Sequence, residues 1–272
     1  MMRQDNLMQQ GRLHCIGLGI TLGSQLTLLN AELLRSADLV FFHANTQYLA
    51  NWLAQFNPAL VDLQPYYQPG QSRAVSYQAM VDAVLDAVRA GKKVVWACYG
   101  HPGVASWPPH EALRQAKAEG FLAKMEPGIS ADACLYADLG IDPMAEGCQQ
   151  YEASQWLFYQ RQIDVSALLI LWQVCIAGDF SLTALDSEAQ RIGVLTSELL
   201  KHYPAAHQVI LYEAADLPIW QPRIEYIALA DLPRATLNQI TTLVIPAVTA
   251  RRPNLAVLDL LQVPPDHPLR QG

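Results

Sequence analysis

The 272-residue chain predicts two α/β domains, on three observations. Short apolar runs alternate with amphipathic stretches through the first half, the order expected of repeated βα units on a mostly parallel, right-handed sheet. After about residue 140, strand-like runs dominate and helices thin out, which predicts a mixed, more antiparallel second sheet. Hydrophobic residues make up 51% of the chain and charged residues 16%. That fills two cores and leaves apolar surface to be covered in an oligomer. The boundary is expected within 130–147. The domains are then 12–135, parallel and α/β, and 136–250, mixed, followed by a tail at 251–272 whose end, "PPDHPLRQG", is expected to fray.

In the first half, "RLHCIGLGI" (12–20) reads as a strand entering a glycine turn, followed by a helix over 28–37 and a strand over 38–43. A helix at 48–56 and a short strand at 59–63 come next. In "YQAMVDAVLDAVRAG" (77–91), Met80, Val81, Val84, Leu85 and Val88 share one helical face, and Gly91 stands where a helix stops. "KKVVWACYG" (92–100) is a buried-strand run, "PHEALRQAKAEG" (109–120) a helix and "FLAKMEPG" (121–128) a strand. The second half offers strands at 168–174, 208–214, 223–229 and 241–247, and one long helix at 187–203.

Charge and composition exclude several classes. A net charge of −7 argues against a nucleic-acid partner, which requires a basic face. No basic segment precedes an apolar one at the N-terminus, so no signal peptide is expected. The apolar run at 167–178 is too short to span a bilayer and contains Gln173. The five cysteines form no CxxC pair and read as small apolar residues in a reducing, cytoplasmic setting. No His, Cys or carboxylate cluster has metal-ligand spacing, so no metal is expected.

Three loops follow predicted strands at their carboxyl ends, where open α/β sheets bind ligands. "GLGITLG" (17–23) misses the dinucleotide spacing by one residue. "YGHPGVAS" (99–106) carries His101, readable as structural or as a ligand contact. "EPGISADACLYADLG" (126–140) places Ser130 as a helix N-cap. In "LILWQV" (169–174), Gln173 is a polar residue inside an apolar strand, and either the backbone or a ligand can satisfy it. "YYQPGQSRAVSY" (66–77) sets Tyr67, Arg73 and Tyr77 about a Pro-Gly turn with no acid or imidazole among them.

In this order, these stretches resemble the tetrapyrrole-methylase superfamily of S-adenosylmethionine (SAM)-dependent methyltransferases, from about residue 12 to 250. That resemblance implies a class III methyltransferase fold of two α/β domains with the SAM site in the cleft between them. Porphyrin and corrin methylases carry Gly-Asp-Pro where this chain has Gly100-His101-Pro102. Tyr66-Tyr67, Pro69-Gly70, Ser72-Arg73 and Tyr77, with "YGHPGV", "PGISADACLYADLGIDP", "YEAS" (151–154) and "LILWQV", resemble more closely the borosin-type peptide backbone α-N-methyltransferases. The resemblance implies a catalytic cluster of Tyr67, Arg73, Tyr77 and Tyr99. It implies that Tyr99, His101, Val104, Ser130, Ala131, Gln173, Tyr212, Ala214, Thr242 and Leu243 contact SAM. The chain ends without a Val/Ile-rich core peptide, which resembles the split arrangement: a homodimer that methylates a separate precursor peptide, with S-adenosylhomocysteine as co-product.

The chemistry is consistent with those residue types. An amide nitrogen delocalises its lone pair and must lose its proton to become nucleophilic. A phenol, with a reference pKa of about 10, is a far stronger conjugate base than a carboxylate at about 4, and a nearby guanidinium favours its ionised form. Methylation of a tetrapyrrole or other small molecule, and a non-catalytic scaffold that binds peptide and SAM, stay open as alternatives.

Overall fold

Alternation along β1 (Arg12–Gly17) sends Leu13 and Cys15 to one core and Ile16 to another. The same division runs through β2 (Leu39–Phe42), with Phe41 opposed to Val40 and Phe42, and β4 (Lys93–Cys98), with Val94 and Trp96 opposed to Val95 and Ala97. A strand buried on both faces reads as a continuous apolar run, which is what "VVWA" shows. The computed structural model describes residues 11–43, 47–68, 70–184 and 186–271; Pro69 of the tyrosine stretch and Gly272 of the tail lie outside them. With β3 (Leu60–Asp62) and β5 (Leu122–Glu126), these strands form a parallel sheet of order β3-β2-β4-β1-β5.

Helices α1 (Leu28–Ser36) and α2 (Gln47–Leu53) close one face through Leu34 and Leu53. On the other face α3 (Arg73–Arg89) and α4 (Trp107–Ala118) pack with Met80, Val81, Val84, Leu85, Val88, Ala112 and Leu113. The apolar stripe of α3 matches the sequence pattern, but the helix begins four residues earlier than the stripe suggests. Ser72 explains this: its side chain accepts from the Ala74 N–H and caps the first turn. The unit is completed by α5 (Ala131–Leu139) as far as Asp138, and by two later segments, Ser181–Thr183 and Ala214–Pro222. It is therefore not continuous in sequence, unlike the expected 12–135.

The second unit holds the rest of the chain, and residues 251–271 belong to it rather than forming a separate tail. Its sheet, of order β6-β7-β10-β8-β9, joins β6 (Cys148–Glu152), β7 (Leu168–Trp172), β8 (Gln208–Glu213), β9 (Arg223–Ala228) and β10 (Thr242–Ile245). Only β6 and β7 pair in parallel; the other neighbours are antiparallel. β6, "CQQYE", was not anticipated because an edge strand so polar carries no apolar alternation. A core under one face combines Leu169, Leu171, Val209, Leu211, Leu243 and Ile245. Helices α6 (Pro143–Glu146), α7 (Ala153–Phe158) and α8 (Ala189–Leu199) follow in the chain, and α7 and α8 add Trp156, Ile192 and Leu195 to that core.

After α9 (Leu255–Leu260) the described residues of the tail fold back onto this helix. Pro268–Arg270 form a turn of 3-10 helix, and Arg270 Nη2 donates to Asp259 and to the Val263 carbonyl, both at 2.7 Å. Among the described residues no helix is long and apolar enough to cross a membrane.

At the carboxyl end of β8, burial alone would raise the Glu213 pKa. Donation from Thr241, at 2.7 Å, from Asn238 and from Arg223, at 2.6 Å, instead holds it below the usual carboxylate range. A depressed carboxylate adds stability above its unfolded pKa and loses it as pH falls through the folded value. The wild type's resistance to urea should therefore fall on acidification from about pH 5 to 3, with a flatter profile for Glu213→Gln. Leu85→Ala, which empties a fully buried site, should lower the unfolding free energy by about 2–5 kcal/mol in the same assay.

Candidate active site

The candidate residues of the first unit, except Ala214, which follows β8, lie beyond carboxyl ends of its parallel strands. β3 runs into a 3-10 turn, Gln64–Tyr66, that delivers Tyr67. The Tyr67 ring meets Tyr77 edge-to-face at 6.1 Å between centroids, and His43, just past β2, at 5.1 Å. Tyr67 and Tyr77 rest half-buried on the core beneath α3. Ser72 starts the helix at Arg73, so Arg73 and Tyr77 stand one turn apart on neighbouring positions of the same surface. The Arg73 backbone N–H donates to the Leu182 carbonyl at 2.9 Å, which ties this turn to the 181–183 segment.

The two phenols are not equivalent. Burial pushes the Tyr67 phenol well above its ordinary value, the charge and hydrogen bond of Tyr77 add to this, and Arg73 opposes it only in part. Tyr67 therefore keeps its proton at physiological pH. The Tyr99 phenol is pushed up to about 12, by burial first and then by Asp216 and Cys134. It too is a neutral hydrogen-bond donor at physiological pH, and its side chain is 44% exposed.

Next to this cluster, three strand ends close on one another through glycine. A Cβ on Gly17 would stand 2.4 Å from the Gly100 carbonyl oxygen and 2.5 Å from Gly128 Cα; one on Gly128 would stand 2.4 Å from the same oxygen. Gly19 and Gly100 exchange backbone hydrogen bonds of 3.3 and 2.9 Å, which binds the loop after β1 to the loop after β4. "GLGITLG" does not run directly into a helix N-terminus as a nucleotide cradle does. Instead, Gln25 Oε1 accepts from the Ile20 and Thr21 N–H groups at 2.7 and 3.1 Å, and α1 starts later. Thr21 Oγ1 donates to the Ala215 carbonyl, and the Leu22 N–H to that of Asp216, both at 2.8 Å. The segment that begins at Ala214 is thereby held on this loop.

His101 Nδ1 accepts the Gly103 N–H at 2.9 Å, so this nitrogen is unprotonated and Nε2 is the position that can carry a hydrogen to a ligand. Val104 is half-exposed. Ser130 occupies the expected position before α5, and its carbonyl accepts from Ala133 and Cys134. Its hydroxyl, however, donates to the Asp132 carboxylate, and Ala131 opens the helix.

In the second unit, Gln173 lies beyond β7 and is only half-buried, not inside the strand as its apolar surroundings suggested. Its backbone is left-handed, φ 56°, which ends the strand and begins a 3-10 turn. Tyr212 and Thr242 are buried opposite each other on β8 and β10. Leu243 is wholly buried in the core, which leaves its backbone as the part able to face a ligand.

Two residues beside these groups escaped the sequence reading. His43 ends a strand as a lone histidine, and only the fold reveals its contact with Tyr67. Asn30 lies within an amphipathic helix, where nothing local separates it from a solvent-facing amide; it is fully buried, and Nδ2 donates to Gly17 O at 2.8 Å and Pro127 O at 3.0 Å.

The sequence matches the family model of tetrapyrrole (corrin/porphyrin) methylases over residues 12–218. It is 37% identical over 267 residues to a methyltransferase/ribosomally synthesized cyclic peptide gymnopeptides precursor of Gymnopus fusipes, covering 96% of this chain and 63% of that protein. It is 36% identical over 261 residues to the corresponding omphalotin A precursor of Omphalotus olearius, covering 94% and 62%. A type I borosin cyclic peptide precursor of Coprinopsis marcescibilis is 38% identical over 224 residues, covering 82% and 57%. The chain thus spans less than two thirds of the length of these curated relatives. Among solved structures, uroporphyrin-III-C-methyltransferase from Thermus thermophilus shares the fold with a TM-score of 0.64 at 19% identity, covering 94% of this chain and 98% of that one. A cobalt precorrin-4 methyltransferase does so with a TM-score of 0.63 at 17% identity, covering 89% and 96%. The chain belongs to the tetrapyrrole (corrin/porphyrin) methylase family, as a relative of the borosin methyltransferases.

Proposed function

We propose that the protein transfers methyl groups from SAM to backbone amide nitrogens of a ribosomally synthesised precursor peptide supplied as a separate chain. The observation that carries this reading is the hydrogen-bonded phenol pair Tyr67–Tyr77 beside Arg73, in a relative of methyltransferase/precursor proteins. When bound, SAM supplies a sulfonium-borne methyl group with its own leaving group. Tyr99, His101, Val104, Ser130, Ala131 and Ala214 of the first unit are the residues we assign to hold it. The fit rests on the glycine-lined strand ends, where a Cβ has no room, and on the Nε2 of His101.

The remaining chemistry falls to the chain's own residues. Tyr67 keeps its proton and donates to Tyr77, so Tyr77 is the member of the pair left to accept a proton from the peptide N–H. Arg73 stabilises the Tyr77 phenolate by charge. Tyr67 and Tyr99, as neutral donors, position the amide and stabilise charge that builds on its carbonyl oxygen, as in an oxyanion hole. Holding nitrogen and methyl donor in line supplies much of the remaining acceleration. The protein is assigned to the cytoplasm as a homodimer. Five free cysteines suit a reducing compartment, and exposed Leu28, Phe180 and Leu260 supply apolar surface to cover.

Incubation with SAM and a separate precursor peptide should add single-methyl mass increments that fragmentation assigns to backbone nitrogens. Increments on side chains alone, or none, would refute the assignment. Tyr77→Phe should lower kcat by about 10²–10⁴ while S-adenosylhomocysteine still binds, and Arg73→Ala should act in the same direction. Light scattering should return twice the 30.1 kDa of one chain.

A further inference from the structure

We propose that Asn30 is a positioning residue for methyl-donor binding, acting as the staple that holds the ends of β1 and β5 together beneath the Tyr99–His101 loop. The inference rests on the functional reading above. Thr27 caps α1 by accepting the Asn30 N–H at 3.1 Å, which places Asn30 in the first turn with its side chain directed at the sheet. There one NH2 group serves two loops: Nδ2 donates to Gly17 O and to Pro127 O. These carbonyls flank the seam at which Gly17 and Gly128 meet the Gly100 carbonyl without room for a Cβ on either. Tyr99 and His101 leave one side of that seam, and Ser130 and Ala131 leave the other.

The orientation of the amide has a single solution. A flipped Asn30 would set its oxygen against two carbonyl oxygens, so the donor must face the seam. Its Oδ1 is consequently buried with no hydrogen-bond partner among the described residues. Such an unmet acceptor weakens the fold, and local rules of this kind are broken where function requires it. Asn57 provides the contrast. It sits at the opposite end of α1, 5% exposed, donating to Leu34 O at 2.9 Å and Ala37 O at 2.8 Å, yet its Oδ1 also accepts the Ala59 N–H at 2.9 Å. Both asparagines bridge two carbonyls, but only Asn30 does so beside the candidate donor loops.

The test compares Asn30→Asp with Asn57→Asp in the full chain. Readouts are calorimetric binding of S-adenosylhomocysteine, KM for SAM against kcat, and Tm. Asn30→Asp should weaken S-adenosylhomocysteine binding at least tenfold and raise KM for SAM similarly, with precursor affinity unchanged. Asn57→Asp should lower Tm comparably and leave S-adenosylhomocysteine affinity within twofold. Wild-type affinity in Asn30→Asp, or equal losses in both variants, overturns the positioning role. If Asn30→Asp does not fold, Gly128→Ala parts the same seam directly, and undiminished S-adenosylhomocysteine binding in that variant overturns it. A wild-type protein that binds no S-adenosylhomocysteine refutes the proposed function itself, and the inference with it.

Discussion

The close backbone approach of Gly17, Gly100 and Gly128 is the constraint on which the rest of the first unit's site depends. Three parallel strands end where a methyl group on Gly17 or Gly128 would collide with main chain, and where Gly100 holds a left-handed φ of 66°. The loops that leave those ends carry Tyr99, His101, Ser130 and Ala131, so their geometry is set by contacts that no side chain can adjust. Hydrogen bonds reinforce the approach from both sides, through the Gly19–Gly100 exchange and through Asn30. Rigid elements place functional groups more accurately than free loops do. Here the rigidity comes from the backbone itself.

A second constraint acts on the phenol cluster and is purely local. Moving the start of α3 by one or two residues would take Arg73 out of the helix and away from Tyr77. Ser72 prevents this by satisfying an N–H that would otherwise be left open in the first turn, and Leu182 satisfies that of Arg73. Tyr67 reaches the cluster from a different strand, by way of the Gln64–Tyr66 turn. The cluster therefore forms only when a helix cap and a tight turn both hold. Each is encoded within a few residues.

Legibility in the sequence follows the range of the interactions. The parallel half was readable because its strands are continuous apolar runs and α3 carries its stripe at Met80, Val81, Val84, Leu85 and Val88. The stretch 66–77 stands out in the sequence because tyrosines and an arginine concentrate about a turn, and the structure does bring Tyr67 and Tyr77 into ring contact. What could not be read was set by distance along the chain. β6 has a polar edge-strand composition, and Gln173 ends β7 in a left-handed conformation that β-rich neighbours conceal. Residues 181–183 and 214–222 join the first unit by contacts with residues more than a hundred positions earlier. Asn30 and His43 belong to this class as well: each is ordinary in its local context and becomes informative only beside residues brought in by another strand.

The asymmetry of Tyr67 and Tyr77 bears most directly on the chemistry. Two phenols in hydrogen-bond contact cannot both ionise, since the second charge would develop against the first in a poorly solvated site. Burial favours the protonated form of Tyr67, and Arg73 stands one turn before Tyr77 along α3. A carboxylate in place of Tyr77 would be ionised at all working pH values but too weak a base for an amide proton. A lone exposed tyrosine would be basic enough when ionised, with nothing to favour that state. In the proposed mechanism the pair meets both demands, with Tyr67 donating to Tyr77 and Arg73 offsetting the charge that develops there. The absence of acids and imidazoles from "YYQPGQSRAVSY" agrees with that proposal, because an amide proton is too weakly acidic for a carboxylate to remove.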